Sequence, residues 1–146
     1  MRAIRQNISE KLLIGRIESP VTWPRWAEAR ALLHPALMRS DEDWPEIETE
    51  LATEGMQLWV VLDGNAMLAA AVTRIAQTRG GEVVEIFLVG GAGYARWIGP
   101  LNDEIEEQSR DIGCVAMRAW GRKGWTNILA DLGWKAGAVA YEKALV

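Results

Sequence analysis

The glycine-rich run from Leu88 to Gly93 carries the clearest chemical signal in the chain. Glycine occupies positions 90, 91 and 93 of this run, which stands between a predicted strand and a predicted helix. Glycine lets several backbone N–H groups point at one place, and the N-terminus of the helix adds a partial positive charge. The run therefore predicts a binding site for a phosphate or pyrophosphate, with a ligand-free turn as the alternative interpretation.

Basic and aromatic side chains stand together farther along the chain. Arg118, Arg122 and Lys123 are close in sequence to Trp120 and Trp125. Guanidinium and ammonium groups bind phosphates and acidic surfaces, so this cluster could hold an anion, a partner protein or nucleic acid. The alternative interpretation is the solvated end of a strand.

Metal and disulfide chemistry have little support in the sequence. The chain has one histidine, His34, and one cysteine, Cys114, whereas a metal site normally needs several such ligands. We therefore predict no metal site, a helix-end position for His34 and a core position for Cys114. A single cysteine gives no reason to expect an oxidising compartment, so the predicted location is the cytoplasm.

The composition is that of one packed globular domain. The chain has 146 residues, 49% of them hydrophobic and 25% charged, which predicts a single domain over residues 1–146. The formal net charge of −4 argues against general electrostatic binding to nucleic acid. No apolar stretch approaches the roughly 20 residues of a membrane span, so no membrane association is expected.

Tryptophan is unusually frequent, with eight tryptophans against one phenylalanine. Several of them should anchor the core, whereas an exposed cluster would mark an interface. We expect Trp23, Trp26 and Trp44 to pack on the sheet, with an interface on the opening helices as the alternative.

The pattern of apolar residues and turn signals predicts the element order αα-βββ-α-β-α-β after an irregular or short extended lead-in. This is a mixed α/β (α+β) fold with a mainly antiparallel sheet flanked by helices. The predicted elements are helices beginning at Thr22 and at Ser40 or Asp41, strands 56–62, 66–75 and 82–89, helix 94–111, strand 114–120, helix 124–132 and strand 138–146.

The glycine run and the closing part of the chain together resemble the GNAT superfamily of N-acetyltransferases. In that family a strand leads into a loop of pattern Gln/Arg-x-x-Gly-x-Gly/Ala, and Gly91 and Gly93 match its two small positions, while Leu88 stands at the first one. Leu132-Gly133-Trp134 is similar to the family's leucine-glycine-aromatic triplet. The resemblance covers about residues 56–146. Within the family, the chain looks most similar to the small GNAT-like proteins of phage and prophage genomes.

The resemblance implies acetyl-CoA or CoA as the cofactor, with its pyrophosphate on the loop amides. Arg96, just past the loop, could replace the contact that Leu88 lacks. The cofactor-binding residues that follow from the resemblance are Leu88, Val89, Gly91, Ala92, Gly93, Tyr94, Arg96 and Asn127.

The resemblance also implies a pair of catalytic residues. Glu85, or alternatively Glu82, lies on the strand where the family often has its general base; a solvent-facing strand residue is the alternative. Leu129 stands near the family's helical tyrosine and cannot donate a proton. Tyr141, Tyr94 or Cys114 would have to replace that acid, and Glu85 with Tyr141 is the pair we predict.

Two functions follow from these observations. The first is a phage-type or prophage-type N-acetyltransferase that binds acyl-CoA, acts on an unknown amine and has a degenerate active site. The alternative is a non-catalytic structural, virion or assembly protein, or a binder of a host protein, on the same fold, which could form a homo-oligomer. An open split between the strands ending at Val89 and starting at Cys114 would favour CoA, whereas a contiguous patch of exposed tryptophans would favour binding. The predicted location is the host cytoplasm, or the virion for a structural protein.

Overall fold

The computed structural model describes residues 4–7, 12–120, 125–137 and 141–145. Within these ranges helices cover both faces of one six-stranded sheet, whose strands lie in chain order. None of the described helices combines the length and the apolar character that a bilayer crossing needs. The elements are β1 (Ile4–Asn7), β2 (Leu12–Ile17), α1 (Trp26–Met38), α2 (Trp44–Ala52), β3 (Gln57–Asp63), β4 (Ala66–Thr78), β5 (Gly81–Gly91), α3 (Tyr94–Asp111), β6 (Ala116–Ala119) and α4 (Thr126–Ala130).

Neighbouring strands pair antiparallel except β5 and β6, which run parallel. A tight turn at Gly64 joins β3 to β4, and the φ of +59° at Gly64 is of the kind that such turns require. A parallel pair needs a crossover connection, and α3 provides it between β5 and β6. This arrangement places the glycine run, which follows β5, at the start of α3.

Alternate residues of β3 point into two hydrophobic clusters, one on each face of the sheet. Leu58 and Val60 belong to the cluster that includes α1 and α2, whereas Trp59 and Val61 belong to the cluster that includes α3. The sheet is therefore the middle of three layers. The helix residues of the two clusters include Trp26, Leu33, Trp44 and Ile47 on the α1/α2 face and Trp97, Leu101 and Ile105 on the α3 face.

The predicted fold class is confirmed, but the predicted element order is wrong at both ends of the chain. The lead-in contains β1 and β2. Its apolar pattern is short, and its strand conformation comes from tertiary pairing, in which Ile14 lies opposite Val61 of β3. At the other end residues 141–145 form no strand, since they pair with none of the described strands, and the side chains of Tyr141 and Leu145 are exposed. Residues 138–140 and 146 of the predicted last strand lie outside the described ranges.

The first two helices begin later than predicted. α1 begins at Trp26 because the residues before it form turns. α2 is capped by Asp43, rather than by Ser40 or Asp41, and the Asp43 carboxylate accepts a hydrogen bond from the Glu46 amide at 2.9 Å. α1 continues past Pro35 to Met38, and residues 39–43 connect it to α2.

Candidate functional site

β5 and β6 separate at one end of the sheet. Their pairing ends at Ile86 and Ala119, whereas β5 continues to Gly91 paired with β4 alone. The edge of β5 from Phe87 to Gly91 that faces away from β4 has no strand beside it within the described ranges. This is the open split between the two strands that was expected to favour CoA.

A β-bulge at Phe87 accompanies this separation. The register between β4 and β5 skips Phe87, because Val72 pairs with Leu88 and Thr73 pairs with Ile86. As a result Phe87 and Leu88 both pack toward the α1/α2 face. Bulges bend a strand and increase its twist, so the end of β5 turns out of line with β6.

A cavity of about 720 Å³ opens at this separation and reaches both faces of the sheet. This volume is typical of small-molecule sites. On the α1/α2 face its wall carries the charged side chains of Arg39, Asp41, Glu42 and Arg74. On the α3 face the described wall is uncharged. The cavity thus has two compartments of different character, which meet where β5 and β6 part. The uncharged wall includes Tyr94, Trp97, Leu101, Asn102, Leu129 and Trp134.

Backbone packing explains two of the three glycines in the run. A Cβ at Gly90 would overlap the carbonyl oxygen of Leu32 in α1, and a Cβ at Gly91 would overlap that of Leu68 in β4. Gly91 also has a φ of +147°, which side-chain-bearing residues rarely adopt. These glycines are required by the fold, whether or not the loop binds a ligand.

Gly93 ends the run as the N-cap of α3 and has different surroundings. It adopts a left-handed φ of +68°, and no atom lies within 4 Å of the place its Cβ would take. The indole N–H of Trp97 donates a hydrogen bond to the Ala92 carbonyl at 2.8 Å and so fixes the loop beside it. The space in front of Gly93 and the first turn of α3 therefore stays open, where the helix dipole stabilises an anion.

Most of the predicted cofactor residues lie at this end of β5. Val89, Gly91 and Tyr94 line the cavity, and Ala92 and Gly93 belong to the exposed loop that connects them. The structure thus brings these five residues together. Their contact with a cofactor stays a prediction.

The remaining predicted cofactor residues are placed less favourably. The Leu88 side chain is fully buried under α1, so only its backbone could meet a ligand. Nη1 of Arg96 lies 2.9 Å from Oδ2 of Asp63 at the β3–β4 turn. Asn127 is exposed on α4 and is not among the described residues that line the cavity.

Glu85 bridges two arginines on the strands beside it. Its Oε1 accepts a hydrogen bond from Arg74 Nε at 2.9 Å, and its Oε2 accepts one from Arg118 Nη1 at 3.2 Å. The Glu85 side chain is only 6% exposed. Because both oxygens are occupied by guanidinium groups, this geometry favours a structural role that ties β4, β5 and β6 together. The other members of the basic cluster, Arg122 and Lys123, lie outside the described residues.

The three candidate proton donors lie in different parts of the molecule. Tyr94 lines the cavity, and its ring meets that of Trp125 edge-on at 5.4 Å between centroids. Tyr141 is 92% exposed and does not line the cavity. Cys114 borders a second cavity of about 390 Å³ near the end of α3. Of the three, Tyr94 alone lines the larger cavity, which Leu129 also lines.

Burial raises the pKa of the Cys114 thiol, and the negative charge of Glu82 raises this pKa further. The thiolate is the reactive form, and the raised pKa lowers its share in the native protein. We therefore expect iodoacetamide at pH 8 to alkylate the native protein more slowly than the protein unfolded in urea. Equal rates in the two states would contradict the placement of Cys114.

Several cavity residues were not predicted as site residues. Arg74 and Phe87 line the charged compartment, and Asp41 and Glu42 belong to a segment interpreted only as a helix start. The sequence did contain a signal for Arg74, because a hairpin that turns between Thr78 and Gly81 sets Arg74 opposite Glu85. Opposite charges at one register position indicate a cross-strand pair.

Of the three tryptophans expected to pack on the sheet, Trp26 and Trp44 are in the core, and Trp23, half-buried in the turn before α1, packs against the same cluster. Trp26 and Trp44 are buried against the sheet, and their rings meet edge to face at 5.9 Å. Trp59 and Trp97 are buried as well. Trp120, in contrast, is 58% exposed and borders the cavity. The exposed Trp120 is therefore part of the candidate site.

Comparison with known proteins supports the fold. No family model and no curated protein sequence matches the chain, but solved structures match nearly all of it. An aminoglycoside acetyltransferase from an uncultured soil metagenomic sample superposes with a TM-score of 0.71 at 13% identity, over 96% of this chain and 100% of that chain. Glucosamine-6-phosphate N-acetyltransferase from Arabidopsis thaliana gives a TM-score of 0.66 at 13% identity, over 92% and 99% of the two chains. A predicted acetyltransferase with acetyl-CoA from Clostridium acetobutylicum gives 0.67 at 10% identity, over 91% and 96%. The chain therefore has the fold of the GNAT acetyltransferases.

Proposed function

We propose that the protein is an N-acetyltransferase that moves an acetyl group from acetyl-CoA to an amine. The observation that carries this proposal is the cavity that crosses the sheet where β5 and β6 part. A transfer between two substrates needs both to reach one point from separate directions. The uncharged and charged compartments provide two such approaches.

The residues at the end of β5 fit acetyl-CoA. The unpaired backbone edge from Phe87 to Gly91 can bond to the amide groups of an extended ligand arm, as an added strand would. The loop at Ala92 and Gly93 and the first turn of α3 suit the pyrophosphate. Tyr94 and Trp125 provide aromatic surface beside this loop.

Acetyl-CoA supplies the acetyl group as a reactive thioester. The chain has to hold the amine against this group and accept the proton that the nitrogen loses as the N–C bond forms and the C–S bond breaks. Among the described carboxylates, Asp41 and Glu42 line the charged compartment, and Glu42 is half-buried there. They are better placed for this proton transfer than Glu85, which is held by two arginines.

A matched pair of variants at Gly93 tests the cofactor site. Asparagine and aspartate both tolerate the left-handed backbone of Gly93, and they differ mainly in charge. We expect Gly93→Asp to bind acetyl-CoA about tenfold more weakly than Gly93→Asn, because a carboxylate there repels the pyrophosphate. The measurement is isothermal titration calorimetry on both variants and the wild type.

The outcomes of this titration are distinct. Saturable binding by the wild type, with the expected difference between the variants, supports the assigned site. Equal affinity of Gly93→Asp and Gly93→Asn would place the cofactor elsewhere. A wild type that binds no acetyl-CoA would overturn the proposed function.

A non-catalytic protein on the same fold is the second candidate function. Two observations favour it: Glu85 is engaged by arginines, and Leu129 offers no proton to the cavity. Saturable acetyl-CoA binding without acetyl transfer to any of a panel of amines would support this candidate. A phage or prophage origin, a virion or host-protein partner, a cytoplasmic location and a homo-oligomeric state remain predictions from the sequence.

A further inference from the structure

Arg74 is a cation held in place at the wall of the charged compartment. Its Nε donates to Glu85, and its guanidinium carbon lies 5.3 Å from the centroid of the Phe87 ring. Both Arg74 and Phe87 line the cavity. The two contacts fix the plane of the guanidinium group while 45% of the Arg74 side chain stays exposed.

The charge of Arg74 is only partly compensated. Glu85 is shared between Arg74 and Arg118, so the row of three side chains across β4, β5 and β6 keeps one net positive charge. The terminal nitrogens of Arg74 make no hydrogen bond to any described residue, since its bond to Glu85 uses Nε. A guanidinium group whose two terminal nitrogens have no described partner presents their N–H groups to a carboxylate or phosphate.

We propose that Arg74 binds an anionic group of the acceptor, so that the acceptor is an amine that also carries a carboxylate or a phosphate. This inference rests on the proposed function. Asp41 and Glu42 on the same wall match the ammonium form of the amine, and Arg74 matches the anion. An acceptor with several ammonium groups and no anion, such as an aminoglycoside, would be opposed by Arg74.

Matched pairs of amines test the preference. Phosphoethanolamine and ethanolamine differ by a phosphate, and β-alanine and β-alaninamide differ by a carboxylate charge; spermidine represents a polycation. Of phosphoethanolamine and β-alanine, the one with the higher kcat/KM should exceed its partner, ethanolamine or β-alaninamide, by at least about tenfold. It should exceed spermidine by at least the same factor. Which pair shows the larger ratio decides between phosphate and carboxylate.

Variants of Arg74 connect this preference to the residue. Arg74→Gln should reduce the ratio within the pair to about twofold or less by raising KM for the anionic amine, while the Kd of acetyl-CoA stays unchanged. Arg74→Lys should restore part of the ratio. Arg79→Gln, in the exposed β4–β5 turn, removes the same charge away from the cavity and should keep the wild-type ratio. Circular dichroism confirms that each variant is folded.

The result that would overturn the inference is an equal kcat/KM within both pairs for the wild type, or a preference that survives in Arg74→Gln. If acetyl-CoA binds but no amine is acetylated, calorimetry of phosphoethanolamine and β-alanine on the CoA complex replaces the rate measurement. Binding that Arg74→Gln weakens about tenfold supports the anion site, and no binding to the wild type rejects it. The acetyl-CoA titration is independent of Arg74, so failure of the proposed function is recognised separately.

Discussion

Replacing Gly90 by alanine should lower the free energy of unfolding by about 3 kcal/mol or more. The added methyl group would overlap the carbonyl oxygen of Leu32 in α1. Neither β5 nor α1 can shift at low energetic cost, because Gly90 pairs with Ala70 of β4 and Leu33, next to Leu32, is fully buried. Urea denaturation followed by tryptophan fluorescence measures the change.

Gly80→Ala is the matched control for this variant. Gly80 lies in the β4–β5 turn, and the nearest atom to its Cβ position would be Thr78 Oγ1 at 3.9 Å, an ordinary contact. We expect its stability to stay within about 0.5 kcal/mol of the wild type. Similar losses in Gly80→Ala and Gly90→Ala would contradict the close approach of α1 to β5.

The same geometry changes how the loop should be probed. Substitution of Gly91, one of the two residues that match the family pattern, would push a side chain into the backbone of Leu68 and Ala69. Lost acetyl-CoA binding in a Gly91→Val variant would therefore report a damaged sheet as much as a blocked pyrophosphate site. Gly93, with open space around it, is the position at which binding can be tested without this ambiguity.

Glu85→Gln should destabilise the protein by about 2 kcal/mol while acetyl transfer by the folded variant stays within about threefold of the wild type. The amide cannot accept two charge-assisted hydrogen bonds, so Arg74 and Arg118 lose their shared partner. A general base, in contrast, would contribute a factor of about 100 or more to the rate. Denaturation curves and steady-state rates on the same preparation separate the two roles.

Glu42→Gln provides the comparison for Glu85→Gln. Glu42 is half-buried at the cavity wall, and we expect its substitution to lower the rate while the unfolding curve stays almost unchanged. A large rate loss in Glu85→Gln at unchanged stability would instead return Glu85 to the catalytic role that its strand position predicted.

Elements stabilised by near neighbours in the chain could be predicted from the sequence. The hairpins of β3, β4 and β5 carry their own turn residues, and α3 carries a helical apolar pattern that ends at Gly113, whose φ is +92°. β2 is different, because Ile14 gains its partner Val61 from a strand more than forty residues away. Its own six residues, with Gly15 and Arg16 among them, give little strand signal.

The candidate site shows the same division. The glycine run was visible because three glycines within four positions stand between a predicted strand and a predicted helix. The structural need for Gly90 was not visible, since it comes from α1, which approaches β5 across the face of the sheet. The position of Tyr141 could not be predicted either. The prediction placed Tyr141 in a last strand, but residues 141–145 pair with none of the described strands.

The order of the strands has a consequence for how the cavity is assembled. The hairpins from β3 to β5 form from segments that are adjacent in the chain, whereas the pair of β2 and β3 closes over α1 and α2. The four residues of β6 likewise meet β5 only across the connection that contains α3. The meander of β3, β4 and β5 can therefore form without the cavity, whose wall also needs residues of α1, α3 and the end of β6. A local opening of β6 would remove part of that wall while most of the sheet remains intact.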